Sequence, residues 1–320
     1  MKNIVILFIA LFCFITPESR GMIEAHTTTA VTAPEEEQTA LRHHVEELCK
    51  YPRYGATITK ARDYIANHFR NAGWEVSLQK FTTSDGETHY NVCALRRGKN
   101  DTRYIIGAHY DACDIGSEGI NQGADDNASA VAALLELASA LPAEQQPLHT
   151  IELVAWACEE PPWFGTADMG SAHHAAACNK EKVLGLICLE MLGYYSDEPD
   201  SQPAFFPGYK LLLPTVGNFI AIVGDPASRE LSVDVLAHLR QNMPTARINL
   251  PFTHDTELYF SDHRNYYPLG IPSVMITDTA LLRNPNYHET SDTPDTLDYN
   301  RLALVTRGVI RAVRALSYGN

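Results

Sequence analysis

From residue 75 onward the chain alternates strand-length apolar runs with helix-length segments, and several of the apolar runs stop abruptly at a polar or charged residue. The strand-like runs are 75–81, 91–97, 103–108, 150–157, 183–191, 219–223 and 272–277. The helix-like ones are 127–141, 167–178 and 228–241. Two helices precede this pattern. One is opened by Pro34 and Glu35–Glu37, acidic residues that suit a first turn, and runs to about Cys49. The other spans about 57–73, with Ile58, Ala61, Ile65 and Phe69 at helical spacing. A long helix over 299–317, capped by Asp298, closes the chain. Such alternation predicts an α/β sheet covered on both faces. In open sheets of this kind ligands bind beyond the C-terminal ends of the strands, which is where the polar residues gather.

No linker or internal repeat divides the 320 residues after about position 35, so one domain over 35–320 is expected. The net charge of −14 argues against nucleic acid and anionic membrane surfaces as partners. At the N-terminus, Lys2 precedes an unbroken apolar run from Ile4 to Ile15. Twelve residues are too few to span a bilayer, which needs about 20, whereas a short apolar core behind a basic residue is the signal-peptide pattern. Residues 1–21 are therefore read as an export signal and the Thr- and Ala-rich 22–34 as a disordered leader. The product would be periplasmic or extracellular, with no stable membrane insertion after cleavage. Cys13 lies in the signal. The other six cysteines show no C-x-x-C pair, so zinc binding by cysteine pairs is not indicated. Cys93, Cys158 and Cys188 sit in apolar runs, as small hydrophobes do.

Five polar segments follow apolar runs. The run at 103–108 ends in His109-Tyr110-Asp111. Histidine is the commonest metal ligand, and a carboxylate two residues on is placed to orient its ring. Gly123-Ala124-Asp125-Asp126-Asn127-Ala128-Ser129 opens a helix-like stretch; adjacent carboxylates there also have an ordinary use as helix caps. Val154-Ala155-Trp156-Ala157-Cys158 ends in Glu159-Glu160, two carboxylates that point to opposite sides of a strand end. Glu190 ends the apolar 185–189, and a buried lone carboxylate needs a partner. His288 lies in the polar loop 286–293. Each segment alone reads equally well as surface or cap. Together they supply two histidines and several carboxylates, enough for two divalent ions about 4 Å apart sharing one carboxylate.

In order and composition, H-x-D, G-A-D-D-N-x-S, E-E, E-M-x-G and Y-H resemble the di-zinc exopeptidases of clan MH, over roughly residues 90–315. That family includes bacterial leucyl aminopeptidase, aminopeptidase Y and glutamate carboxypeptidase, with glutaminyl cyclase a relative. The resemblance implies the zinc exopeptidase fold, a mixed and mostly parallel sheet. It implies two Zn2+ per chain. One would be held by His109, Asp126 and Glu190, the other by Asp126, Glu160 and His288, with Asp126 bridging. Glu159 would be the general base, Asp111 would orient His109, and Tyr287 would stabilise the oxyanion. Ser261-Asp262-His263 resembles a recurrent supporting segment. Departures are Glu190 where many relatives carry Asp, Ala130 in place of a frequent Gly, and Pro161-Pro162-Trp163-Phe164 after the glutamate pair.

The activity implied is hydrolysis of peptides from the N-terminus, by a water whose pKa zinc lowers to about 7 and whose proton Glu159 takes. Three alternatives stay open. A glutaminyl-cyclase-like acyltransferase would use one zinc, and Asn127 and Ser129 count against it. A carboxypeptidase would need a basic residue for the terminal carboxylate, for which Arg264 and Arg283 are placed in the chain. A metal-free binding module would have lost ligands. His43-His44, His173-His174 and His254-Asp255 are poor chelates by position. No G-x-S-x-G elbow signals a serine hydrolase.

Overall fold

The apolar runs form the strands of one nine-stranded sheet in the computed structural model, which describes residues 23–26, 31–203, 214–251 and 257–319. In chain order the strands are β1 (Ile23–His26), β2 (Glu75–Thr82), β3 (Thr88–Arg96), β4 (Asn100–His109), β5 (His149–Trp156), β6 (Val183–Glu190), β7 (Ile220–Gly224), β8 (Thr245–Asn249) and β9 (Ser273–Thr277). The helices are α1 (Glu35–Cys49), α2 (Ile58–Asn71), α3 (Ala130–Ala140), α4 (Gly170–Ala177), α5 (Arg229–Leu239) and α6 (Tyr299–Tyr318). Across the sheet the order is β1-β8-β7-β9-β6-β4-β5-β3-β2. The sheet is mixed, and its centre, β9-β6-β4-β5, is parallel throughout.

That parallel centre sets the site. His109 pairs with Trp156 across β4 and β5, and Glu190 pairs with Thr277 across β6 and β9. Four neighbouring strands therefore end on one edge, and the segments after them meet there. Both faces of the central strands are buried, which is why they read as continuous apolar runs. On one face a core including Phe69, Leu134, Ile106, Leu153 and Val309 packs beneath α1, α2, α3, α5 and α6. On the other, Trp156, Phe219 and Tyr266 pack with Ala175 of α4. Asp298 caps α6, its carboxylate accepting from Arg301 N–H at 2.9 Å.

Three expectations need correction. The stretch 22–34 is not wholly an unstructured leader: Ile23–His26 forms edge strand β1, pairing antiparallel with β8 through backbone hydrogen bonds, which composition does not reveal. β8 was not anticipated, because Thr245-Ala246-Arg247-Ile248-Asn249 lacks an apolar pattern, yet all five residues are buried. The helix expected from 127 starts at Ala130; Ala124–Ser129 forms a wider turn in which Asp126 and Asn127 leave helical geometry. The proposed signal, residues 1–21, lies outside the described residues, as does His254. No helix among the described residues is long and apolar enough to cross a membrane.

Candidate metal centre

Asp126 is the hub of the arrangement. Its Oδ1 lies 3.2 Å from His109 Nε2, and its Oδ2 lies 3.2 Å from His288 Nε2. Glu190 Oε2 is 3.5 Å from the same His109 nitrogen, and Glu160 Oε2 is 3.0 Å from the His288 nitrogen. All five residues expected to hold metal thus converge. Glu159 stands beside them, with Oε2 3.9 Å from His109 Nε2. The two glutamates beyond the end of β5 do not point to opposite sides: Glu160 also faces His288, but oxygens of both carboxylates and a ring nitrogen of His109 lie within 4.8 Å of one another.

Local backbone geometry makes this possible. Cys158, Met191 and His288 have φ of 59°, 46° and 58°, a left-handed conformation that non-glycine residues adopt at a cost. Two of these precede or follow a carboxylate of the site, and the third is a ligand itself. Gly123, at φ 57°, opens the turn carrying Asp126; a Cβ there would stand 2.1 Å from the Asp126 carbonyl oxygen. The side chain of Asp111 accepts from the backbone N–H of Glu159 at 3.2 Å and of Glu160 at 3.0 Å. Its Oδ1 is 3.5 Å from His109 Nδ1, a contact rather than a well-formed hydrogen bond. Asp111 therefore holds the glutamate pair directly and lies against the histidine ring.

Several supporting residues escaped the sequence reading. Asp292 accepts from the N–H groups of Asp125 and Asp126 at 2.9 and 3.1 Å. Its place in the polar loop beside His288 was the one available signal. Arg53, fully buried, donates to the carbonyls of Tyr110, Gln122, Gly123 and Asp126; nothing in its sequence neighbourhood marks it. Asn127 bridges Leu189 and Met191, donating to the first and accepting from the second. Ser261 Oγ donates to Glu190 Oε2 at 2.6 Å, giving the Ser261-Asp262-His263 segment a concrete role. Asp125 turns away from the hub and accepts from Gly193 N–H, Ser129 Oγ and Asn284 Nδ2. Of the adjacent carboxylates, one serves the centre and the other braces it.

The electrostatics call for cations. Asp126, Glu159, Glu160 and Glu190 are all more than nine-tenths buried, as is His109. Burial alone would raise the Asp126 carboxyl; the facing histidines outweigh it and hold it well below the usual range. Burial raises Glu159 far above that range, and Glu160 to about 7. His109 is pulled down by burial but pushed well up by Glu190 and Glu159. Among buried side-chain atoms left without hydrogen-bond partners are His109 Nδ1 and Nε2, His288 Nε2 and Glu160 Oε1. Buried unpaired polar groups are costly, and with all four carboxyls ionised the two imidazoles could not balance their charge, so either protons or bound cations must do so. Nitrogen and carboxylate oxygen donors at these separations suit zinc.

Beside this centre lies a hollow of about 210 Å³, walled by Phe164, Leu258, Phe260, Met275, Leu281 and Tyr287. The Tyr287 ring stacks on His288 with centroids 3.8 Å apart. Burial and the neighbouring carboxylates keep its phenol protonated well beyond the ordinary range. Phe164, from the unusual Pro-Pro-Trp-Phe continuation, meets Phe260 edge-on at 5.4 Å. The other histidines are engaged elsewhere: His44 with Tyr64 and Glu136, His173 on Phe81, His174 with Tyr266 and Glu152. Arg283 donates to Gln202 and to the Phe219 carbonyl, and Arg264 lies over Phe164 and Tyr259. All six cysteines from Cys49 onward are free thiols.

Fold and donor set define the class, an α/β protein with a candidate metal centre at the C-terminal edge of its parallel strands. The profile of Peptidase family M28 matches residues 91–313. The chain belongs to that family. It is 37% identical to the "uncharacterized protein YfbL" of Escherichia coli (strain K12), over 97% of this chain and 98% of that one. Among solved structures, the glutaminyl cyclase of Porphyromonas gingivalis superposes with a TM-score of 0.66 at 20% identity, covering 90% of this chain and all of that one. A leucine aminopeptidase precursor from Bacteroides thetaiotaomicron superposes at 0.64 and 19% identity, covering 88% and 99%. At such identities these two likenesses show the common fold.

Proposed function

We propose that the protein is a zinc-dependent aminopeptidase that removes N-terminal residues from peptides, with two ions per chain. The observation that carries this reading is the division of Asp126, whose two oxygens each face a different histidine at 3.2 Å. A carboxylate so divided fits a bridge between two ions. A single-ion cyclase centre would leave one of the two halves without a use. His109, Asp126 and Glu190 would hold one zinc, and Asp126, Glu160 and His288 the other. When bound, such a pair supplies Lewis-acid polarisation of the substrate carbonyl and makes water a nucleophile near neutral pH.

The chain's own residues do the rest. Water oxygen attacks the scissile carbonyl carbon, its proton passes to the Glu159 carboxylate, and Glu159 delivers that proton to the leaving amine nitrogen as the C–N bond breaks. Tyr287, kept as a neutral phenol, donates its O–H toward the carbonyl oxygen as negative charge develops. The hollow lined by Phe164, Phe260 and Met275 takes the side chain of the first residue. The carboxylates at its inner end favour a terminal ammonium over a terminal carboxylate. Arg283 is committed to Gln202 and Phe219, which weakens the carboxypeptidase alternative.

The test is hydrolysis of a panel of aminoacyl chromogenic amides, before and after chelation and zinc restoration. Activity that disappears with chelator and returns with zinc supports the reading. Cyclisation of N-terminal glutamine without amide hydrolysis would replace it with the cyclase alternative. The apolar run at 4–15 supports an exported site of action. N-terminal sequencing of protein recovered from periplasm or medium tests that, and a cytoplasmic product beginning at Met1 would refute it.

A further inference from the structure

We infer that Cys113 supplies a thiolate donor to the ion on the His288 side, so that this half of the centre prefers soft divalent metals; the inference rests on the metal reading above. Cys113 lies four residues beyond His109, on the segment leaving β4, and is a buried free thiol. Its Sγ, a ring nitrogen of His288 and a carboxylate oxygen of Glu160 all lie within 4.8 Å of one another. Two independent features point to a ligand at that spot. Glu160 is 3% exposed, and its Oε1 has no hydrogen-bond partner. His288 Nε2 is likewise buried without one.

A second thiol–histidine–carboxylate group, Cys93 with Glu152 and His174, differs in this respect. There Arg103 pairs with Glu152 at 2.8 Å and Tyr266 O–H meets His174 at 2.7 Å, so its donors are already satisfied. Around Cys113, by contrast, the buried Glu160 Oε1 has no partner. The two halves of the centre therefore differ in chemistry. His109, Asp126 and Glu190 offer only nitrogen and oxygen, whereas the His288 half adds sulfur. Zinc accepts four ligands and expands to five, so a thiolate beside Glu160 and His288, with Asp126 facing the same imidazole, leaves room for a substrate atom. On coordination the thiol loses its proton to solvent. Soft thiolate ligands select zinc-like ions over magnesium or manganese.

Cobalt(II) loading of the intact apoprotein reads this directly. The wild type should show a thiolate-to-cobalt charge-transfer band in the near ultraviolet beside the visible ligand-field bands. Cys113→Ala and Cys113→Ser should each abolish the charge-transfer band while the ligand-field bands persist, and weaken binding at one site by at least about tenfold. Ligand-field bands without charge transfer in the wild type would overturn the thiolate. So would a charge-transfer band that survives in either variant. Failure of the wild type to bind cobalt at all would sink the metal reading itself.

Discussion

Glu159 and Glu160 share a strand end and differ in what they face, and that difference separates their roles. Both line the hollow, but Glu160 Oε2 sits 3.0 Å from His288, within reach of a shared ion, whereas the nearest approach of Glu159 to a ring nitrogen is 3.9 Å, to His109. Glu159→Gln should therefore lower kcat by about 10²- to 10⁴-fold, the usual contribution of a general base, while metal content by elemental analysis stays at the wild-type level. Loss of metal together with activity would make Glu159 a ligand instead. Ser261 is the complementary case. Its hydroxyl fixes Glu190 at 2.6 Å, so Ser261→Ala should weaken metal binding about 10- to 100-fold, with kcat recovering at saturating zinc. The candidate ligands were legible through the order of motifs that resemble the di-zinc exopeptidases; by position alone His109, Glu160 and Glu190 stand at or just beyond apolar runs, whereas Asp126 and His288 lie in polar segments. Arg53 and Asp292 were not, since their partners are backbone groups that only the fold brings near.

The loop after β5 carries the glutamate pair, and its position depends on backbone packing as well as on the Asp111 side chain. Gly170 opens α4 with its N–H bonded to the Ala157 carbonyl at 2.8 Å. A Cβ at Gly170 would stand 2.3 Å from that same oxygen and 2.3 Å from Asn91 Oδ1. Gly170→Ala should thus push α4 away from the strand end, lowering thermal stability and, through Glu159 and Glu160, activity; an unchanged melting temperature would show that the helix yields freely. Beneath the sheet, Glu152 of β5 binds Arg103 of β4 and His174 of α4 at 2.8 and 3.4 Å. Burial would raise its carboxyl, but His174 and Arg103 together pull it from 4.5 down to about 2. A carboxyl depressed in the folded state contributes stability that is fully present above about 4.5 and lost as pH falls toward 2. Glu152→Gln should then cost about 3–5 kcal/mol near neutrality, as breaking a buried pair does, and the deficit in denaturant melts should shrink below pH 4.5. A constant deficit would mean that packing rather than charge holds this joint. β8 shows the same limit of sequence reading at the scale of an element. Its Arg247 is buried and paired with Asn249 and Ser232, so a polar stretch behaves as an interior strand.

For the molecule as a whole, alternation of runs conveyed a sheet with helices, but the order β1-β8-β7-β9-β6-β4-β5-β3-β2 was beyond it, because register and crossover are settled by long-range pairing. That order is what collects residues 109, 126, 159, 160, 190 and 288 at one edge, and it concentrates negative charge there. Without ions, Asp126, Glu160 and Glu190 repel one another in a buried setting, and burial and this crowding raise the carboxyls of Glu159 and Glu160 above the usual carboxylate range. Bound ions should therefore stabilise the fold as well as serve the reaction. A ligand present at a thousand times its dissociation constant contributes about 4 kcal/mol, and for a chain of this size that corresponds to a melting shift on the order of 5–10 °C. Dialysis against chelator should lower the melting temperature by that amount, and stoichiometric zinc should restore it, with the titration breaking at two equivalents per chain. Asp126→Asn, which removes the shared charge, should leave the melting temperature insensitive to both. A break at one equivalent would leave half of this centre empty under working conditions and return the single-ion cyclase chemistry to first place.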